Sequence, residues 1–326
     1  MSLQFINRPE ALKAEYYKEA VELIGEQFSK VDGVITVYSF GNVTTPGISD
    51  LDILLVFEDQ HACVLNGFEN LPERYQPLFT HRIMALCASH FSRNNHYTLW
   101  SEHRLISGKH PTINTALQKT EEQLRLLKRQ TAIEFLVANY IDLKVQIDYG
   151  IIKLRSFLQH MKGLLYDLDF LEITSSKLHA PLLQLKQWII NWFEQTPKDQ
   201  EIIQWINSFI PLFDDFVNHI LRNEPVYFPE MQTYRVSKNM QLHNSDQLSY
   251  SHSGILLPSL FSHFSKKFFK LQNRLNTFDF YLPITTIPSD PIIEERFRFL
   301  QEMKNYNRKF LPNFMTHTTS ITSKLI

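Results

Sequence analysis

Phe40-Gly41-Asn42-Val43-Thr44-Thr45-Pro46-Gly47-Ile48-Ser49-Asp50-Leu51-Asp52-Ile53-Leu54-Leu55-Val56 joins two apolar runs through a turn and carries two acids one residue apart. On a strand, side chains two apart share a face, so Asp50 and Asp52 point together while Leu51 and Ile53 turn to the opposite, apolar side. Two carboxylates so placed repel and raise each other's pKa, and a cation between them removes the conflict. Magnesium fits this role, because it accepts one or two carboxylates and completes its shell with water and phosphate oxygens. Upstream, Gly41 lets the backbone approach a phosphate, and the following amides, with Asn42, Thr44, Thr45 and Ser49, are candidate phosphate contacts.

Working outward, Val34–Phe40 is rich in β-branched and aromatic residues and reads as a buried strand that ends at Gly41. Leu51–Phe57 reads as a second strand and His81–Phe91 as a third, with short strands at Tyr97–Trp100 and Arg104–Ser107. Before them, Leu12, Tyr16, Ala20, Leu23, Ile24 and Phe28 recur at three- and four-residue steps, which predicts an amphipathic helix from Pro9 to Val31, stopped by Asp32-Gly33. A helix followed by clustered strands implies an α+β domain with a mixed sheet over residues 1–112.

Beyond Pro111 glycine and proline become scarce, and apolar residues settle into a helical period up to about Leu221. Ile147, Ile151, Leu154, Leu158, Met161 and Leu165 form the clearest stripe, and further helices are expected at Leu182–Glu194 and Asp199–Leu221. This predicts a helical bundle over 113–225. The remaining 226–326, rich in Phe, Ser, Asn and Pro, is expected to be a partly helical extension packing on the preceding domains, with helices at Pro258–Asn276 and Pro291–Phe310 and a loose tail from Thr316. The phenylalanines there, among them Phe264, Phe268, Phe269, Phe297 and Phe299, read as core.

An apolar fraction of 44% and a charged fraction of 21% describe an ordinary folded chain. With a net charge of -1 no global field draws long nucleic acid or an anionic membrane, so a small partner is expected. Cys63 and Cys87 are too few for a disulfide framework, and the expected location is cytoplasmic. Neither an export signal nor an apolar run of about eighteen residues is read in the chain.

A strand ending in glycine, a loop, then Asp-x-Asp within an apolar strand resembles the polymerase-beta-like nucleotidyltransferase superfamily. The matching positions are Gly41, Asn42, Asp50 and Asp52, with Gly47-Ile48-Ser49 in keeping. The resemblance covers roughly Val34 to Gly108. It implies a nucleoside triphosphate such as ATP, held by magnesium on Asp50 and Asp52, and transfer of its nucleoside monophosphate to an acceptor hydroxyl, here of a small molecule. Asn42 stands where the family has serine or glycine. Active members also carry a third acid on a later strand, whereas Arg82–His90 holds none. Glu58 and Asp59 sit about 20 Å along the strand from Asp52, leaving Glu102, Asp142 and Asp148, which spacing alone does not assign. A nucleotidyltransferase-type domain that binds nucleotide or a partner without turnover is therefore the alternative.

One further pattern, Arg155-x4-His160, is similar to the helical HEPN ribonuclease family. In an unbroken helix residues five apart point about 140° from each other, which favours a solvated helix surface; a HEPN-like ribonuclease or toxin-antitoxin component, with the two residues converging across a dimer, is the third reading. The thirteen histidines show no pair at helical metal-ligand spacing together with a carboxylate, and read as ordinary.

Overall fold

A computed structural model describes residues 3–68, 71–99, 103–111, 119–228, 233–263, 267–284 and 290–317. In chain order its elements are β1 (Gln4–Ile6), α1 (Ala14–Phe28), β2 (Val34–Phe40), β3 (Asp52–Phe57), β4 (Met84–Cys87), α2 (Ala88–Tyr97), β5 (Arg104–Gly108) and α3 (Glu121–Asp148). Then come β6 (Ile151–Lys153), α4 (Leu154–Phe170), α5 (His179–Ile190), α6 (Asp199–Asn223), β7 (Thr233–Ser237), β8 (Met240–Asn244), β9 (Ser249–Gly254), α7 (Phe268–Leu275), β10 (Asn276–Leu282) and α8 (Pro291–Phe310). The fold class is α+β, as expected, and among the described residues no helix is long and apolar enough to cross a membrane.

Two compact units result: Glu10–Leu127 with Asp290–Thr319, and Met1–Pro9 with Lys128–Ser289 and Ser320–Ile326. The division differs from the expected boundaries at 112 and 225. One border falls inside α3, and the C-terminal segment belongs with the N-terminal sheet. The return is built from specific bonds: Asn307 Nδ2 donates to Ala85 O at 2.9 Å, the Ala85 amide to Met315 O at 2.8 Å and the Met315 amide to Ile83 O at 3.0 Å. Helix α8 itself starts where Asp290 accepts from the Ile292 amide at 2.9 Å, with Pro291 in the first turn.

In the unit that carries the acidic motif, four strands lie in the order β4-β3-β2-β5. β2 is antiparallel to both β3 and β5, and β3 is parallel to β4. Alternation decides which residues face which side. Val37, Ile53, Leu55 and Phe57 pack with Tyr17, Ala20, Ile24 and Phe28 of α1 and with Leu311 and Phe314, while Tyr38, Phe40, Leu54, Val56, Met84 and Leu86 pack with Phe91 on the other face. Strand β3 is thus covered on both sides, which is why Asp52-Ile-Leu-Leu-Val-Phe57 reads as a nearly continuous apolar run.

Three sequence expectations need correction here. The strand expected at His81–Phe91 is only Met84–Cys87, because from Ala88 the buried side chains His90, Phe91, Asn94 and Tyr97 follow a helical period and form α2. Helix α2 also takes Tyr97, so no strand forms at Tyr97–Leu99; Trp100 lies outside the described residues. The stripe from Ile147 to Leu165 is split between two helices. Gly150 is left-handed (φ +65), and Ile151–Lys153 pairs in parallel with β1 before α4 begins.

The other unit combines α3–α6 with a sheet of order β7-β8-β10-β9, absent from the expected bundle. In place of a helix from Pro258, a 3-10 turn spans Ser259–His263, α7 covers Phe268–Leu275, and the chain enters β10 at Asn276. Alternation in β10 buries Phe278, Phe280 and Leu282. Phe268 and Phe299 are buried as expected, and Phe264 lies outside the described residues.

Helix α4 holds an acid with a thermodynamic cost. Asp167 is buried, its Oδ2 has no hydrogen-bond partner, and burial pushes its carboxyl well above the usual carboxylate range. A carboxyl whose pKa is raised by folding contributes stability that is fully present below its unfolded pKa and lost as pH rises through the folded one. Asp167→Asn is therefore expected to stabilise the chain by about 1–3 kcal/mol at pH 8 and by little at pH 4. Urea unfolding at the two pH values checks this, and an equal effect at both would contradict it.

Candidate metal centre and adjoining cleft

β2 and β3 are joined by the turn 41–51, and its shape follows from a few bonds. Gly41 is left-handed (φ +69), and a Cβ added there would stand 3.0 Å from Asp52 Oδ2, so both its backbone angle and the carboxylate beside it favour glycine. Ser49 Oγ accepts from the amides of Thr44 (3.2 Å) and Thr45 (3.1 Å). The Gly47 amide donates to Tyr17 Oη at 2.9 Å, and Tyr17 Oη donates to Ser49 O at 2.7 Å. Thr44, Thr45 and Ser49 thus staple the loop to itself and to α1. Asn42 is exposed on its rim.

This loop delivers Asp50 and Asp52 to one place, where a third group joins them. His81, between the 3-10 turn Glu73–Leu78 and β4, has Nε2 2.8 Å from Asp52 Oδ1 and 3.8 Å from Asp50 Oδ2. One ligand atom from each residue lies within 4.8 Å of the others, and the side chains are 20–25% exposed, open enough for a ligand to enter. Thr80 Oγ1 donates to Asp50 Oδ2. The 2.8 Å contact of His81 Nδ1 with Arg82 O places a proton on Nδ1, since a carbonyl only accepts.

Burial pushes the Asp52 carboxyl above the usual range, opposed by the His81 hydrogen bond and reinforced by Asp50. For His81, burial works against the imidazolium, but the Asp52 hydrogen bond, the Arg82 carbonyl and both carboxylate charges outweigh it and hold the pKa above its ordinary value. The two directions agree: both favour a proton at the contact of Asp52 with His81 Nε2. A divalent cation competes for that proton. Two carboxylate oxygens and an imidazole nitrogen form a donor set that fits such an ion, the oxygens suiting magnesium and the imidazole extending the range to manganese.

Sequence reasoning passed over His81, which lies 29 residues beyond Asp52, because no helical spacing marked it. The signal was present in its place, just ahead of a strand parallel to β3. Of the acids considered for a third carboxylate, Glu102 lies outside the described residues. Asp142 accepts from Gln146 (2.7 Å), and Asp148 from Tyr250 (3.1 Å), within the other unit. Asp59, two residues beyond β3, accepts from the Ser89 amide and hydroxyl at 3.1 and 2.9 Å. Arg155 and His160 both lie in the regular α4, where His160 Nδ1 is 3.6 Å from Asp142.

Against the centre opens a cleft of about 510 Å³, walled by α1, the end of β2, the turn and β5. Asp50 and Asn42 reach into it. Comparison of the chain with protein-family models, with curated proteins and with solved structures gives no match.

Proposed function

We propose that the unit built on β2–β5 is a nucleotidyltransferase-type domain that holds a nucleoside triphosphate through a divalent cation and moves its nucleoside monophosphate to the hydroxyl of a small acceptor. The observation that carries this reading is the convergence of Asp50, Asp52 and His81, with the left-handed Gly41 beside Asp52 and Asp50 also lining a cleft of nucleoside size. Magnesium is the expected ion, and the imidazole donor makes manganese a second. When bound, the cation would neutralise phosphate charge and assist departure of pyrophosphate. Asp50 and Asp52 would hold it, Thr80 keeps Asp50 oriented, and Gly41 leaves room for phosphate next to Asp52. His81, just ahead of β4, would take the part of the third acid that the resemblance implies on a later strand, and its Nε2, once free of its proton, would be a ligand or an acceptor for a hydroxyl proton.

His81 also supports a second reading, nucleotide binding without turnover, because among the described residues the cluster contains no third carboxylate. Incubating the chain with each α-labelled triphosphate, magnesium or manganese, and a small-molecule extract separates the two. Label on a small acceptor with release of pyrophosphate is the expected result. Nucleotide binding without transfer for all four bases would favour the second reading, and no binding would end both.

A pH dependence follows from the shared proton. Below the raised His81 pKa the cation must displace a proton, so manganese affinity is expected to rise by up to about tenfold per pH unit until that pKa is passed, then level off. In His81→Ala the steep part is expected to flatten. Manganese titrations between pH 5.5 and 8.5 test this, and identical slopes in the two proteins would remove His81 from the site.

A further inference from the structure

Arg104 opens β5 opposite Ser39 of β2, beside the strand end that leads into Gly41. Its Nη2 donates to Gly41 O, and its Nη1 reaches Asn42 Oδ1 at 3.5 Å. Both partners are neutral oxygens, and among the described residues no carboxylate forms an ion pair with Arg104. A guanidinium has five N–H donors in a planar fork suited to phosphate, so most of this one's capacity is unspent. Lys18 of α1 lines the same cleft and likewise makes no ion pair among the described residues. Glu22 lines it too and pairs with neither. Asp50 also lines the cleft. Once a divalent cation offsets Asp50, Lys18 and Arg104 outweigh Glu22 and leave the lining net positive, beside the apolar Val21, Phe40 and Leu51.

We infer that Arg104 is a phosphate-binding residue: it grips the triphosphate chain of the nucleotide in this cleft, with Lys18 as a second positive charge, while its bond to Gly41 O pre-positions the turn. The inference rests on the nucleotide reading above and adds to it the groups that select a polyphosphate over a monophosphate. An arginine fork bridges two oxygens of a chain already anchored by the metal, and a monophosphate spans less of the distance from Asp50 to β5.

The test uses the full chain, manganese and two probes, inorganic tripolyphosphate and inorganic phosphate. Wild type is expected to bind tripolyphosphate in the presence of manganese far better than phosphate. Arg104→Gln keeps a donor for Gly41 O but loses the charge. It is expected to bind manganese alone as wild type does and to lose about tenfold or more in tripolyphosphate affinity, with Arg104→Lys intermediate. Retained manganese binding shows that the variant has folded. Wild-type tripolyphosphate affinity in Arg104→Gln would overturn the inference and leave the nucleotide reading standing. Failure of wild type itself to bind tripolyphosphate would overturn both.

Discussion

Asp52→Asn is expected to lower divalent-cation affinity more than about a hundredfold and to abolish metal-dependent nucleotide binding while leaving the fold intact. Loss of one first-sphere carboxylate should exceed the 10- to 100-fold typical of groups that merely orient a ligand. Asp52 has two roles in the cluster: it offers Oδ1 toward His81 and Oδ2 beside Gly41. An amide keeps its shape and one acceptor but removes the charge that draws the cation. The fold should tolerate the change, because Asp52 begins β3 at the surface end and its neighbours Ile53–Phe57 carry the packing. Removing one of two close carboxylates also relieves repulsion. Circular dichroism melts beside manganese titrations would show a wild-type transition with no bound ion; undiminished ion binding would count against the assignment.

The second large effect is structural. Gly108 ends β5 with φ +86, and a Cβ there would lie 2.0 Å from Ile35 O, 2.9 Å from Ile35 C and 3.0 Å from Thr36 Cα. All three are backbone atoms of β2, so no side chain can swing aside. Thr36 pairs with Gly108 in the ladder and its hydroxyl donates to Lys109 O, which anchors the same point. Gly108→Ala must therefore distort β2 or detach β5, and a loss of more than about 3 kcal/mol is expected. Urea denaturation measures it. A midpoint within a few tenths molar of wild type would mean that β5 does not pair with β2 as described. Because β5 carries Arg104, the same lesion is expected to weaken polyphosphate binding.

Local signals in the sequence were read where one short segment contains the whole cause. Val34–Phe40 is a strand with the bounds its β-branched run implies, between Gly33 and Gly41. Pro291–Phe310 is a helix because Asp290 caps it and its buried positions recur at helical spacing. Asp50 and Asp52 read as sharing one site and lie together, although Asp50 is carried there by the turn, two residues before β3 begins. What the sequence hid was non-local. His81 enters the site through the parallel pairing of β4 with β3, and nothing in its own neighbourhood announces that. The sheet β7–β10 escaped because Ser249-Tyr-Ser-His-Ser-Gly254 and Met240-Gln-Leu-His-Asn244 bury few apolar side chains and look like loop. Ile147–Leu165 kept a helical period across a left-handed glycine, so periodicity alone did not reveal the strand between α3 and α4. The 226–326 extension is expected from the sequence to pack on the preceding domains, but the bonds that tie α8 to the sheet join residues more than two hundred positions apart and cannot be read from spacing.

Titration of the full-length chain with manganese, followed by loss of the free-ion resonance with and without ATP, asks most directly whether these residues hold a cation against phosphate. One ion per chain, bound more tightly when ATP is present and released in the Asp50→Asn, Asp52→Asn double variant, is the expected result. A wild-type chain that leaves free manganese undiminished at millimolar concentration, with or without ATP, would contradict the account.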